Sequence, residues 1–361
     1  MQRSEALQRL LTETGFADAQ RVPLAGDAST RRYERLVLPD RRAILMDAAP
    51  KTETPPCPPG ATPAERRQMG WNATARLAAS RVEAFAAVSE YLSSLGLAAP
   101  TIYGADLNAG FMVLEDLGDA LYANVIANGE ADELELYRAA ADVLAHVHSA
   151  ASPSRMTGPG GASWPLLEYD ALALEVNADL FAQWMPQSAD VRMTDADRAR
   201  WETIRDSLIV KALGFPRAFT IRDYHAENLL WLPEREGLQR VGLLDYQDAL
   251  RGWRGWDFAM LLDDARRDVS DAAREAAIQR YLEVTGADEA AFRRELAVLG
   301  ALNAMRILGR FAQLNFEGKT KYAAFMPREW GHLARNLKHP ALEDARAFVE
   351  EIARPYLEQA A

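Results

Sequence analysis

Hydrophobic and polar positions change their period several times along this chain. Leu7, Leu10 and Leu11 fall on one helical face between Ser4 and Thr14, and Gly15 closes the run. Alternation at period two follows in residues 20–24, 31–38 and 42–47, with a turn at Pro39 and Asp40. Residues 81–95 return to helical spacing, with Val82, Phe85, Leu92 and Leu95 on one face. Two further strands, residues 100–105 and 111–114, flank a turn over residues 106–110. Beyond Gly118 the pattern is helical. It covers residues 134–150, 166–184, 195–213 behind a Thr194 cap, and 296–311. Set among these helices are two short apolar runs, Leu229 to Leu232 and Val241 to Leu244. The polar turn between them predicts a β-hairpin.

The remaining stretches read as connections. Residues 50–63 carry Pro55, Pro56, Pro58 and Pro59, which suit a surface loop rather than a helix or a central strand. Residues 151–163 are rich in Gly, Pro and Ser and read as a second loop. The charges at residues 263–268 read as a solvated run, and Met326-Pro327-Arg328 as a break between helices. His146 and His148 are two apart, face differently, and read as structural residues rather than a metal pair.

Composition narrows the classes. The chain has 361 residues, 49% of them hydrophobic, enough for about two domains. Its net charge of −11, from 41 basic and 52 acidic residues, leaves no broad basic field to displace counterions from nucleic acid. A single cysteine, Cys57, excludes an intrachain disulfide. No stretch reaches the ~18 apolar residues of a membrane span. A cytoplasmic monomer with small-molecule partners, and no nucleic-acid or membrane partner, is expected.

The chemistry concentrates in residues 220–248. Asp223 and Asn228 stand five apart in the loop before the first hairpin strand, and Asp245 follows the second. Single polar residues crowd loops for bland reasons, as turn and cap formers. An Asp-x-x-x-x-Asn pair, then apolar strands, then a second Asp, is the layout of phosphoryl transfer. The first Asp orients the attacking hydroxyl and takes its proton. The Asn and the later Asp supply hard oxygen ligands for Mg2+ on the nucleotide phosphates.

With the segments Arg222-Asp223-Tyr224-His225-Ala226-Glu227-Asn228, Leu244-Asp245-Tyr246-Gln247-Asp248-Ala249 and Trp256-Asp257-Phe258-Ala259, the chain resembles the aminoglycoside phosphotransferase and choline kinase superfamily. Gly26-Asp27-Ala28-Ser29-Thr30-Arg31-Arg32-Tyr33, Ile44-Leu45-Met46-Asp47 and Gly318-Lys319 extend the likeness over nearly the whole length. Within that superfamily it is most similar to the bacterial anomeric sugar kinases of cell-wall recycling. The resemblance implies an α+β, two-lobed, protein-kinase-like fold. Residues 1–117 would form a small antiparallel sheet lobe, and residues 118–361 a larger helical lobe with the catalytic hairpin. It implies ATP as co-substrate and Mg2+ as cofactor. Asp223 would be catalytic, and Asn228 and Asp245 the metal ligands. The loop Gly26, Asp27, Ala28, Ser29, Thr30, with Arg31, would cover the phosphates, and main-chain groups of Glu115 and Leu117 would read the adenine edge. Asp257 would brace the catalytic loop. His225, and Arg306 with Arg310 one helical turn apart, are candidate acceptor contacts, the arginines suiting a sugar carboxylate.

Three departures from the kinase pattern stand out. The third strand carries Ala43-Ile44-Leu45-Met46-Asp47, without the phosphate-reaching Lys; Arg31, Arg32 and Lys51 are the nearby cations. Ile221 stands where protein kinases place a His, and Asp245-Tyr246-Gln247 where they place Asp-Phe-Gly. Other acceptors, such as an aminoglycoside, choline or homoserine, stay open at this point. So does a catalytically silent nucleotide-binding scaffold, for which the missing Lys is the one argument.

Overall fold

Alternating residues near the N-terminus become strands, and two of them, residues 32–37 and 42–47, send side chains into a core while residues 20–23 form an exposed edge. The computed structural model describes residues 3–24, 31–49, 57–78, 81–188 and 191–360. Its strands there are β1 (Gln20–Pro23), β2 (Arg32–Val37), β3 (Arg42–Asp47), β4 (Ile102–Asp106), β5 (Phe111–Glu115), β6 (Arg155–Gly158), β7 (Ala162–Pro165), β8 (Arg217–Thr220), β9 (Leu229–Trp231), β10 (Val241–Leu243) and β11 (Leu250–Trp253). The first five form one antiparallel sheet in the order β1-β2-β3-β5-β4. Leu36, Ala43, Leu45, Phe111 and Val113 on one face of it meet Leu10, Leu11 and Phe16 from the N-terminal helix Arg3–Glu13 and the turn after it. Each large apolar side chain buried this way contributes about 1.5–3 kcal/mol.

The chain divides into two compact units that interleave in sequence. The first comprises Met1–Asp132, Ala150–Leu167 and Ala226–Ala249, and the second Glu133–Ser149, Glu168–His225 and Leu250–Ala361.

In the first unit, residues 151–163 correct the expectation of a loop. Most of them form the antiparallel hairpin β6–β7, which lies on the helix Val82–Ser94. Their glycines serve this closeness: a Cβ on Gly158 would lie 2.5 Å from the Ala86 carbonyl oxygen. Composition that suggests a loop here marks a tight turn and a close backbone approach. The proline-rich stretch likewise ends in structure. Thr62 and Glu65 form a capping box, Pro63 begins the helix Pro63–Met69, and a π-helical turn, Asn72–Arg76, follows. Residues 50–56 lie outside the described residues.

The second unit is mostly helical. Its axis is the long helix Glu289–Phe316, which lies along Ala171–Ser188. The latter begins at Ala171 rather than at Leu166, because the chain before it is held extended: the Tyr169 amide donates to the Arg251 carbonyl. Met326 and Pro327 start the helix Met326–Leu337 instead of interrupting one, since proline fits a first helical turn. The charge run 263–268 is solvated only in its second half, where Arg266 and Asp268 are exposed. Asp263 and Asp264 are buried, Asp263 beside Arg274, Arg335 and the Asn336 amide. No described helix is long and apolar enough to cross a membrane.

The two long helices meet backbone to backbone at Gly309, where a Cβ would fall on the Leu180 carbonyl and the Phe181 amide. Neither backbone can yield without moving a helix. Gly309→Ala is therefore expected to destabilise the protein by about 3 kcal/mol, read as a lower urea midpoint at unchanged slope.

Candidate active site

The predicted catalytic loop leaves β8 under the control of one carboxylate. β8 pairs with β11, and the next helix, Arg254–Leu262, carries Asp257 in its first turn. Asp257 is fully buried. Its Oδ2 accepts the Ile221 amide at 2.9 Å and its Oδ1 the Arg222 amide at 2.7 Å. His148 Nε2 lies 3.2 Å from Oδ2, and His148 Nδ1 lies 3.1 Å from the Tyr281 hydroxyl. His148 thus bridges the carboxylate and the phenol, whose pKa burial pushes far up. Arg222 has φ +80°, a left-handed conformation that costs a non-glycine residue on the order of 1–3 kcal/mol. Asp223 comes next, immediately after the clamp. Beyond it, the Tyr224 hydroxyl donates to the Ala140 carbonyl at 3.0 Å, and His225 is buried.

In the first unit, β9 and β10 form the predicted hairpin, with Leu229 opposite Leu243. The Leu244 amide donates to the Asn228 carbonyl at 2.9 Å, so Asn228 and Asp245 flank one end of it. Asp245 has φ +54°, again left-handed. Its side chain is half exposed; Oδ1 accepts from Gln247 Nε2 at 2.9 Å and lies 3.8 Å from Arg31 Nη1. Tyr246 points away from it, its hydroxyl donating to Ser89 Oγ at 2.9 Å and its ring against Phe85. Arg31 is buried, 5.9 Å over the Phe85 ring, whereas Arg32 opens β2 on its exposed side. A second arginine, Arg76 at the end of the π-helical turn, pairs with Asp248 at 3.0 Å. Two carboxylates beside the hairpin thus each face an arginine. Burial raises the pKa of Tyr33, with Arg31 opposing, so the phenol beside this pair stays protonated. The phosphate loop, residues 26–30, and Lys51 lie outside the described residues.

Residues 20–296 match the sequence profile of the phosphotransferase enzyme family, APH. The chain belongs to that family. It is 47% identical to an N-acetylmuramate/N-acetylglucosamine kinase of Caulobacter vibrioides over 351 residues, 97% of this chain and 96% of that one. It is 30% identical to the kinase of the same name from Pseudomonas aeruginosa over 342 residues, covering 91% and 87%. Among solved structures, a choline/ethanolamine kinase family protein from Mesorhizobium loti superposes with a TM-score of 0.55 at 15% identity, covering 97% of this chain and all of that one. That likeness shows the kinase-like fold expected from the sequence.

The other predicted site residues of this phosphotransferase are placed as follows. Glu115 ends β5, its carboxylate accepting from the Thr101 amide and hydroxyl and pairing with Arg235 at 2.5 Å. Burial opposes ionisation of Glu115, but those donors outweigh it and hold its carboxyl below the usual range. Its side chain is thereby fixed, and Leu117 is buried two residues on. Arg306 and Arg310 share the long helix but no partner. Arg306 Nε and Nη2 donate to Asn303 Oδ1 at 3.0 and 2.8 Å, and Arg310 Nη1 donates to Gln313 Oε1 at 2.6 Å. Neither is within 4 Å of a carboxylate among the described residues. Sequence reasoning passed over Arg76, which is 172 positions from its partner Asp248. It also passed over Glu329, whose one sequence signal is a carboxylate next to the apolar Trp330.

Asp257→Asn keeps the shape but replaces one accepting oxygen by a donor, which confronts a backbone N–H. We expect a loss of about 2 kcal/mol in stability and faster amide exchange at Ile221 and Arg222, seen by hydrogen exchange and thermal melting.

Proposed function

We propose that this phosphotransferase moves the γ-phosphoryl group of ATP to the anomeric hydroxyl of N-acetylmuramate and N-acetylglucosamine, in the cytoplasmic recycling of cell-wall sugars. The observation that carries the chemistry is Asp223, set directly behind a strained loop that a buried carboxylate clamps. The 47% identity to a kinase named for these sugars, over nearly the whole chain, supports the acceptor.

Asp223 is the residue that receives and orients the acceptor hydroxyl and takes its proton. Asn228 and Asp245 fit Mg2+: both are hard oxygen donors, and Asp245 Oδ2 has no partner among the described residues. Bound there, the ion would screen the charge of the phosphates. Arg31 takes the part of the absent strand Lys. It is the buried cation nearest Asp245, and its guanidinium bonds phosphate oxygens in pairs. Residues Gly26 to Thr30 close over the phosphates, and main-chain groups of Glu115 and Leu117 face the adenine. His225, Arg306 and Arg310 belong to the acceptor side. The functional boundary falls after Leu117, with nucleotide-covering residues before it and catalytic residues after it. Little covalent work falls to the protein; positioning and charge neutralisation carry the rate.

Phosphorus NMR of a reaction with Mg-ATP and either sugar tests the reading. We expect a sugar-phosphate signal coupled to the anomeric proton. A signal coupled to the C6 protons would overturn the position, and phosphorylation of an amino alcohol or aminoglycoside but of neither sugar would overturn the acceptor. Asp223→Ala is expected to lower turnover on the order of 10³-fold while Mg-ATP binds within about twofold.

A further inference from the structure

The second unit holds an acid and a base that feel each other electrostatically yet form no ion pair with each other. Glu329, in the first turn of Met326–Leu337, is fully buried, and neither of its carboxylate oxygens has a hydrogen-bond partner among the described residues. Arg306 is half-buried, 5.8 Å over the Trp256 ring, and its guanidinium donates to neutral groups, the Asn303 amide oxygen and the Met260 sulfur. No carboxylate lies within 4 Å of it among the described residues, although it acts electrostatically on both Glu329 and Asp223. Other half-buried arginines of this unit are paired at short range: Arg254 with Glu295 at 2.9 Å and Arg267 with Glu133 at 2.8 Å.

We propose that Arg306 binds the carboxylate of an anionic acceptor sugar, and that Glu329 is a positioning residue that stays neutral when that carboxylate is present and ionises to balance Arg306 when the acceptor is uncharged. This rests on the acceptor reading above and deepens it. N-acetylmuramate carries a carboxylate and N-acetylglucosamine does not, so one site must serve ligands that differ by a full charge. A fixed salt bridge would repel the first, and a bare cation would be costly with the second. A buried acid that takes up or releases a proton suits both.

The surroundings of Glu329 favour the neutral form. Burial pushes its carboxyl well above the usual range, Asp263 and Asp264 push it further, and Arg306 and Arg328 oppose them. Asp263 is itself held ionised by Arg274, His332, the Asn336 amide and Arg335. Asp264 has one oxygen on the Arg266 amide, and its carbonyl faces His332 Nε2. The sign follows: as pH rises, Glu329 ionises and competes with the substrate carboxylate for Arg306. N-acetylmuramate, fully ionised throughout, loses affinity, and N-acetylglucosamine does not.

The test is the ratio of kcat/KM for N-acetylmuramate over N-acetylglucosamine, measured from about pH 5.5 to about pH 9. In the unmodified protein the ratio should fall about tenfold across that range, through the KM of N-acetylmuramate. Glu329→Gln cannot ionise; its ratio should stay flat at the low-pH value. Arg306→Gln should lose N-acetylmuramate at least about tenfold more than N-acetylglucosamine. A flat ratio in the unmodified protein, or equal losses on both sugars in Arg306→Gln, would overturn the proposal while leaving the kinase assignment intact. Turnover of neither sugar by the unmodified protein would instead overturn the acceptor reading beneath it.

Discussion

The course of the loop that carries Asp223 hangs from the Asp257 carboxylate. Burying that charge costs several kcal/mol, and three arrangements offset the cost. Two backbone amides donate to it at 2.9 and 2.7 Å, each such charged bond contributing about 1.5–3 kcal/mol. His148 adds a third partner. The carboxylate also sits in the first turn of its helix, where the aligned peptide dipoles favour negative charge. That helix start is itself secured from outside: Glu295 Oε1 accepts the Gly255 amide at 2.9 Å, and a Cβ on Gly255 would collide with the Glu295 side chain. The order of dependence runs from Glu295 to the helix start, to Asp257, to the left-handed Arg222, and so to the direction in which Asp223 leaves the loop.

The first unit leaves Asp245 open, which is what the metal-ligand role proposed for it would require. Arg31 approaches to 3.8 Å, beyond a hydrogen bond, and the Asp245 side chain is 50% exposed. An ion pair that loose and that solvated contributes about 0–1 kcal/mol, too little to compete with a divalent cation. Asp248 is treated oppositely. Its side chain is buried and closed off by Arg76 at 3.0 Å, so of the two carboxylates in Asp245-Tyr246-Gln247-Asp248 only the first is open. Tyr246 between them is buried against Phe85 and Ser89, which sets the direction of both.

Much of this was legible in the chain, and the limits have physical reasons. The strands β2, β3 and β5, the β9–β10 hairpin and the long helices follow from hydrophobic pattern, because each sends apolar side chains into a core. The trio Asp223, Asn228 and Asp245 could be singled out because spacing and intervening apolar runs are both sequence properties, and its role is the proposal made above. The β6–β7 hairpin was not, since the glycines that permit its close approach to Val82–Ser94 look the same as those of a loop. Asp263 and Asp264 misled because a charge run looks solvated until its partners are known, and Arg274, Arg335 and Asn336 are brought to it only by the fold. The helix Pro63–Met69 was hidden behind prolines, although Thr62-Pro63-Ala64-Glu65 spells a capping box that could have been read.

On the proposed reading of Arg306, acceptor choice depends on local electrostatics rather than on composition. A net charge of −11 spread over a whole surface is screened within about 8–10 Å at ordinary ionic strength, so it says little about which sugar binds. One guanidinium in a desolvated site is a stronger statement. Arg306 is held in place by Asn303, Met260 and the face of Trp256, groups that fix its direction without cancelling its charge. Were its role only to bridge helices, a carboxylate within reach would serve better, as Glu295 does for Arg254. Glu329 lies inside its field yet is not bonded to it, and that spacing keeps the charge available to a ligand.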